Sequence, residues 1–398
     1  MTEKRRRIYI RADGNGQIGM GHIVRSLSIG MALRDEGGEV CFILADGGAV
    51  SVIEKAGFPC EVLGTDYCRM EEKIPALERL LSREKGKELE ADAQTDFSGL
   101  WPDVTEKDDQ AAAKRVLAEE NGQASAKRVL AEENGQAAVE SCLFLVDSYS
   151  VTDSYLRALG RWGKVAYMDD VNAFPCPVDA VINGNIYGAG MDYSAWGVHT
   201  EILGGPAFAP LRPEFEARRG ERREEYILVT TGGGDPYHLS EKIVRRLLKE
   251  PWTEQEKIRV VCGSFSQSAP ALREMEKEDS RLRVLQDVPD MWNVMNGAKL
   301  AVTAAGNTMQ ELACLGVPMI GFSFADNQRL AAQTWFTQGY SHYGGDYLAL
   351  GDEMIGEICE AAGQLCASAP LRDQYSRKLM NLVDGEGSRR IAERLMKL

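Results

Sequence analysis

Two consecutive series of short apolar runs constrain this chain more than any other feature. Each run ends near glycine or an acid and leads into a helical pattern. The first series occupies 8–10, 39–44, 60–63, 142–147, 164–170 and 179–183; the second occupies 226–230, 258–262, 282–285, 300–303 and 319–322. Apolar runs alternating with helical stretches read as βα units of a parallel sheet. Two such series predict an α/β chain of two Rossmann-like domains facing a cleft. The expected division is a first domain over 1–205, a linker over 206–224 and a second domain over 225–398. The linker carries Pro206, Pro210 and Pro213, then the charged run Arg218-Arg219-Gly220-Glu221-Arg222-Arg223.

In open parallel sheets, ligands bind at the carboxyl ends of the strands. Those ends therefore hold the candidate site residues. The first strand breaks into Asp13-Gly14-Asn15-Gly16-Gln17-Ile18-Gly19-Met20-Gly21-His22. A helix follows, with Val24, Leu27 and Met31 at i, i+3 and i+7 as its expected buried stripe. Glycines here let backbone approach a ligand, and the helix start leaves N–H groups facing it. His22 sits at that start in a chain with only four histidines. Residues 14–19 also fit G-x-G-x-x-G, and Asp46 closes the second strand, which outlines a dinucleotide fingerprint. Arg11 and Asp13 crowd the strand end, and Gly21 and His22 follow, on ground where small residues usually pack against pyrophosphate; a nicotinamide enzyme is therefore an alternative rather than the main reading. A glycine loop that merely turns the chain is another. Asp13, Asp147, Asp169, Asp170 and Asn183 all end strands and are expected to point toward one cleft, or else to cap the helices that follow.

The second series has two glycine-bounded helix starts. Thr231-Gly232-Gly233-Gly234-Asp235-Pro236 follows one strand, and Ala304-Ala305-Gly306-Asn307-Thr308 follows another, with Glu311 one turn into its helix. Such starts suit a nucleoside diphosphate: N–H groups for phosphate, a carboxylate for the ribose hydroxyls. Ordinary βα turns remain the alternative. No G-x-x-x-x-G-K-[ST] occurs, which excludes a P-loop NTPase.

Residues 90–139 interrupt the first series. They are polar, and residues 113–124 recur letter for letter at 126–137. Two copies are too few for a solenoid, which needs about three. We expect short surface helices without a catalytic role, within an insertion at about 68–140.

A net charge of −14 disfavours general binding to nucleic acid or anionic membrane. Nine cysteines without C-x-x-C pairs argue for reduced thiols in the cytoplasm and against a zinc site. No run reaches the roughly 18 apolar residues of a membrane span, and no signal peptide is read. His199, His238 and His342 are isolated in polar stretches, where surface placement is expected. No metal, no cofactor and a monomer are expected.

Several of these motifs occur in order in a known family. Asp13, Gln17 to Arg25, Thr231 to Pro236, Ala305 to Leu312 and Asp326-Asn327-Gln328 resemble the UDP-2,4-diacetamido-2,4,6-trideoxy-β-L-altropyranose hydrolases of pseudaminic acid biosynthesis. The spore-coat polysaccharide proteins are similar. Supporting matches are Val146 to Tyr149, Met168 to Asp170, Asn183 to Tyr187 and Leu211 to Phe215. The resemblance implies a GT-B fold and a hydrolase that releases UDP from an activated amino sugar, with inversion. It implies His22 as base, with Asp13 and Tyr149 beside it. It places Gly19, Gly21, Arg25, Arg212, Gly233, Gly234, Asn307, Thr308, Glu311, Asn327 and Gln328 on the substrate. Gly234 stands where relatives often have Ser or Thr. The alternatives are a GT-B glycosyltransferase for a surface polysaccharide, which hands the sugar to an acceptor, and a non-catalytic nucleotide-sugar-binding protein.

Overall fold

The computed structural model describes residues 5–15, 18–82, 142–218, 225–263, 266–286 and 288–398. The tandem repeat and most of the expected insertion lie outside the described residues.

Each apolar run of the first series forms a strand: β1 (Arg7–Ala12), β2 (Glu39–Leu44), β3 (Cys60–Val62), β4 (Leu143–Asp147), β5 (Lys164–Met168) and β6 (Ala180–Asn183). A seventh, β7 (Glu201–Gly204), joins them; half of its residues are polar or glycine, so it carries no apolar signal. All pair in parallel, in the order β3-β2-β1-β4-β5-β6-β7. The order reverses between β1 and β4, where an open sheet forms its ligand crevice.

The second sheet repeats this plan. It contains β8 (Tyr226–Thr230), β9 (Ile258–Cys262), β10 (Leu282–Gln286), β11 (Ala298–Ala304), β12 (Met319–Ser323) and β13 (His342–Asp346), in the order β10-β9-β8-β11-β12-β13. Its switch point lies between β8 and β11. β13 carries two glycines and a histidine, which hid it from apolar pattern reading.

The first helix, α1 (Gly21–Asp35), buries Ile23, Leu27, Ile29 and Leu33 rather than the expected Val24 and Met31. The difference has a packing cause. The last helix, Gly387–Leu395, crosses back and sets Ile391, Ala392 and Leu395 into the core of the first sheet against α1. Covered on both sides, α1 buries more than one stripe. Gly30 meets the sheet where a side chain would not fit easily: a Cβ there would stand 3.2 Å from Ile10 Cδ1.

The region between the sheets is not featureless linker. It forms a short helix, Pro213–Ala217, whose Phe215 is fully buried, and it carries Arg212 into the cleft.

Candidate active site

Strand pairing brings the site together. Ala12 at the end of β1 lies in register with Asp147 at the end of β4. The loop after β1 then turns sharply, helped by Gly19 at φ 74°, and α1 starts at Gly21. This sets His22 directly beside Asp147. His22 Nδ1 and Asp147 Oδ1 are 2.6 Å apart.

Asp147 is completely buried. It also accepts from Arg25 Nε at 2.7 Å and from Arg25 Nη2 at 2.6 Å. Burial pushes its carboxyl pKa up, but Arg25 and His22 outweigh that and hold it well below the usual carboxylate range. An ionised carboxylate only accepts, so His22 must carry its proton on Nδ1. Nε2 then keeps its lone pair and has no partner among the described residues. This is the arrangement of an oriented general base.

Arg25 reaches further, donating from Nη1 to both oxygens of Asp170 at 2.8 and 3.1 Å. Burial lowers the guanidinium pKa, and the two carboxylates raise it well above its ordinary value. Asp170 in turn accepts from the Tyr149 hydroxyl at 2.8 Å and from Asn185 Nδ2 at 2.7 Å. Tyr149 presents its ring edge-on to His22, with centroids 4.7 Å apart. Burial and the Asp170 carboxylate keep the phenol protonated far into the alkaline range. Asn327, from the second domain, approaches the same hydroxyl at 3.5 Å.

Two cavities meet here. One, of about 190 Å³, is lined by His22, Tyr149, Asp170, Asn185, Tyr187, Asn327 and Gln328 among others. The second, of about 320 Å³, lies between the domains, with Gly232, Gly233, Gly263, Arg212 and Glu311 on one side and the apolar Val261, Val288 and Met291 as a wall. Gly21 and Asn307 line both. At that junction stands the N-terminus of the helix Asn307–Cys314. No side chain caps it, and the N–H groups of Asn307 and Thr308 have no acceptor among the described residues. Glu311, one turn in, takes both Arg212 hydrogen bonds on Oε1, at 3.1 and 2.8 Å. Its Oε2 has no partner among the described residues. Burial raises the Glu311 pKa, against the pull of Arg212.

Several expectations are corrected by this geometry. Asp13 does not hold His22. It is salt-bridged to Arg11 at 2.5 Å and accepts the Ala45 N–H at 2.7 Å, which uses both its oxygens. Arg25 borders the smaller cavity, but its charge is spent on two buried carboxylates. Asp169 and Asn183 hold Tyr193 and neighbouring chain instead of facing the cleft. Of the two expected phosphate seats, only the one at Asn307 keeps an open helix start. At the other, the Asp235 carboxylate takes the N–H groups of Leu239 and Ser240 at 2.7 and 3.0 Å, so that helix start is already filled. Gly232, at φ 84°, and Gly233 line the cavity; Gly234 does not.

His199 is exposed, as expected, but His238 and His342 are not free surface groups. His238 takes φ 55° before its helix and lies 3.3 Å from Ser268 Oγ. His342 is half-buried in β13, and burial lowers its pKa.

Sequence reading missed Gly263. A Cβ there would lie 2.4 Å from the Gly233 carbonyl oxygen, so glycine must follow β9 for the 232–233 loop to sit down. Its signal was a glycine directly after a strand. The apolar wall of the larger cavity had no signal at all. Among the described residues no cluster of His, Cys, Asp or Glu could hold a metal, and no helix is long and apolar enough to cross a membrane.

No protein-family model matches the chain. It is similar to the spore coat polysaccharide biosynthesis protein SpsG of Bacillus subtilis, 31% identical over 229 residues. That match takes in 55% of this chain and 65% of SpsG, so it spans less than two thirds of the relative. The calicheamicin glycosyltransferase CalG4 superposes with a TM-score of 0.56 at 14% identity, covering 99% of this chain and 98% of the other. Phytolacca americana UGT2, complexed with UDP-2-fluoro-glucose and pterostilbene, gives 0.56 at 12% identity over the whole of both chains. The fold is GT-B, as expected. The expected UDP-sugar hydrolase is corrected: these similar proteins are two glycosyltransferases and a polysaccharide biosynthesis protein.

Proposed function

We propose that this chain is a glycosyltransferase of polysaccharide biosynthesis that takes a UDP-activated sugar and hands the sugar to a hydroxyl acceptor. The observation that carries this is the junction of the two cavities at Gly21 and Asn307, with an uncapped helix start between them and His22 in the smaller one.

The larger cavity suits the nucleotide. Val261, Val288 and Met291 offer a flat base an apolar wall. The free oxygen of Glu311 accepts from the ribose hydroxyls. The diphosphate rests on the N–H groups of Asn307 and Thr308, where the helix dipole favours negative charge. This matters in a chain of net charge −14, whose overall field repels the ligand.

The sugar then extends into the smaller cavity, among the amides of Asn185, Asn327 and Gln328. His22 accepts the acceptor's hydroxyl proton on Nε2. The acceptor oxygen attacks the anomeric carbon from the side opposite the diphosphate, and UDP departs with the electron pair of the broken bond. Asp147 holds the ring and stabilises the imidazolium that forms. UDP is a good leaving group, so the step needs no strong general acid. General-base help contributes typically about 100- to 10,000-fold, and positioning and diphosphate stabilisation supply the rest.

Calorimetric titration with UDP tests the nucleotide half. Saturable one-to-one binding, lost when Asn307 and Thr308 are replaced by proline, supports it; no binding by the wild type refutes it.

A further inference from the structure

A third cavity, of about 30 Å³, lies beside His22. It shares Ile18, His22 and Tyr149 with the sugar cavity, and all its lining comes from the first domain. We propose that it receives the reacting end of the acceptor, and that this end is a hydroxymethyl group of a neutral sugar or polyol. The proposal rests on the transferase reading above and adds the acceptor's class to it.

Position comes first. The diphosphate seat at Asn307 belongs to the second domain, and inversion needs the nucleophile on the opposite side of the anomeric carbon. A cavity made by the first domain alone, with His22 in its wall, meets that need.

Size comes next. One water-sized group requires roughly 10–15 Å³ of such volume. About 30 Å³ therefore holds two non-hydrogen atoms, a carbon and its oxygen.

Chemistry sets the charge. The charges beside the cavity are already paired, Asp13 with Arg11 and Asp147 with Arg25, so no free cation among the described lining residues is left to hold an acceptor carboxylate or phosphate. Ser148 Oγ accepts the Ser150 N–H at 3.2 Å, and its own hydrogen has no acceptor among the described residues. It can donate to the incoming oxygen while His22 Nε2 takes that oxygen's proton. The balance is simple: the acceptor O–H breaks, its oxygen bonds the anomeric carbon, the bond from that carbon to the diphosphate oxygen breaks, and UDP leaves.

The test uses the full chain saturated with UDP and follows the His22 ring protons by NMR, assigned by their loss in His22→Gln. Ethylene glycol and acetate are the probes. Glycol should shift the His22 signals saturably, and acetate should not. Ser148→Val fills the cavity and should abolish the glycol shift; Ser148→Ala keeps the volume, loses the donor and should weaken it several-fold. UDP affinity should stay within twofold in both. An absent glycol shift, a shift that Ser148→Val leaves intact, or an equal response to acetate overturns the proposal. A wild type that fails to bind UDP overturns the transferase reading instead.

Discussion

His22 and Asp147 stand 125 residues apart in sequence and 2.6 Å apart in the structure, with the imidazole Nδ1 against a carboxylate that solvent does not reach. The pairing sets the tautomer and leaves Nε2 as the only ring nitrogen available to a substrate. Arg25 and Asp170 then extend the network to Tyr149, which touches the second domain through Asn327.

His22→Gln removes the base and leaves the nucleotide cavity untouched. Transfer should fall by about 100- to 10,000-fold, with UDP affinity unchanged. Rate measurements paired with calorimetry check both halves.

Arg25→Met strips two buried carboxylates of their cation. Removing one partner of a buried ion pair costs about 3–5 kcal/mol, so urea unfolding should show a loss of that size. Asp147→Asn should also flatten the acid limb of stability. The native Asp147 pKa lies below its unfolded value, so its contribution is present above the ordinary carboxylate range and lost as pH falls through the native value.

Gly263→Ala drives a methyl group to within 2.4 Å of the Gly233 carbonyl and must displace the 232–233 loop. UDP affinity should drop tenfold or more. Gly234→Ala is the control, since a Cβ there meets nothing within 4 Å, and affinity should stay within threefold.

Lys73 gives an alkaline prediction. It is fully buried, 4.0 Å from Asp13, and burial and Arg11 lower its pKa from 10.5 to about 8. The folded chain therefore releases this proton before the unfolded chain does. Stability rises with pH between about 8 and 10.5 on account of this group, by an amount of order 1–3 kcal/mol. Denaturation of wild type and Lys73→Met across that range should show the rise in the wild type only.

The fold was largely legible because buried parallel strands are rich in apolar residues, and eleven of the thirteen strands coincide with apolar-rich runs. The two missed strands, β7 and β13, carry polar residues or glycine. In the site, glycine loops and His22 could be read locally. The partner of His22 could not, because five strand-end polar residues look alike until strand order is known. Only the β1–β4 register puts Asp147, and not Asp13, beside the imidazole. Asp13 misled because it lies near in sequence, while its oxygens belong to Arg11 and Ala45. The filled helix start at Asp235 was hidden for the same reason as the open one at Asn307 was visible: glycine marks a loop, and side-chain capping is decided by packing.

The most direct measurement is NMR of a UDP-activated acetamido sugar with this protein, with and without ethylene glycol as a hydroxyl acceptor, following UDP and the anomeric signal of the first product. The account predicts an inverted glycoside of the glycol, UDP release that depends on the glycol, and loss of both in His22→Gln. Equal UDP release without any acceptor, giving the free sugar, would contradict it.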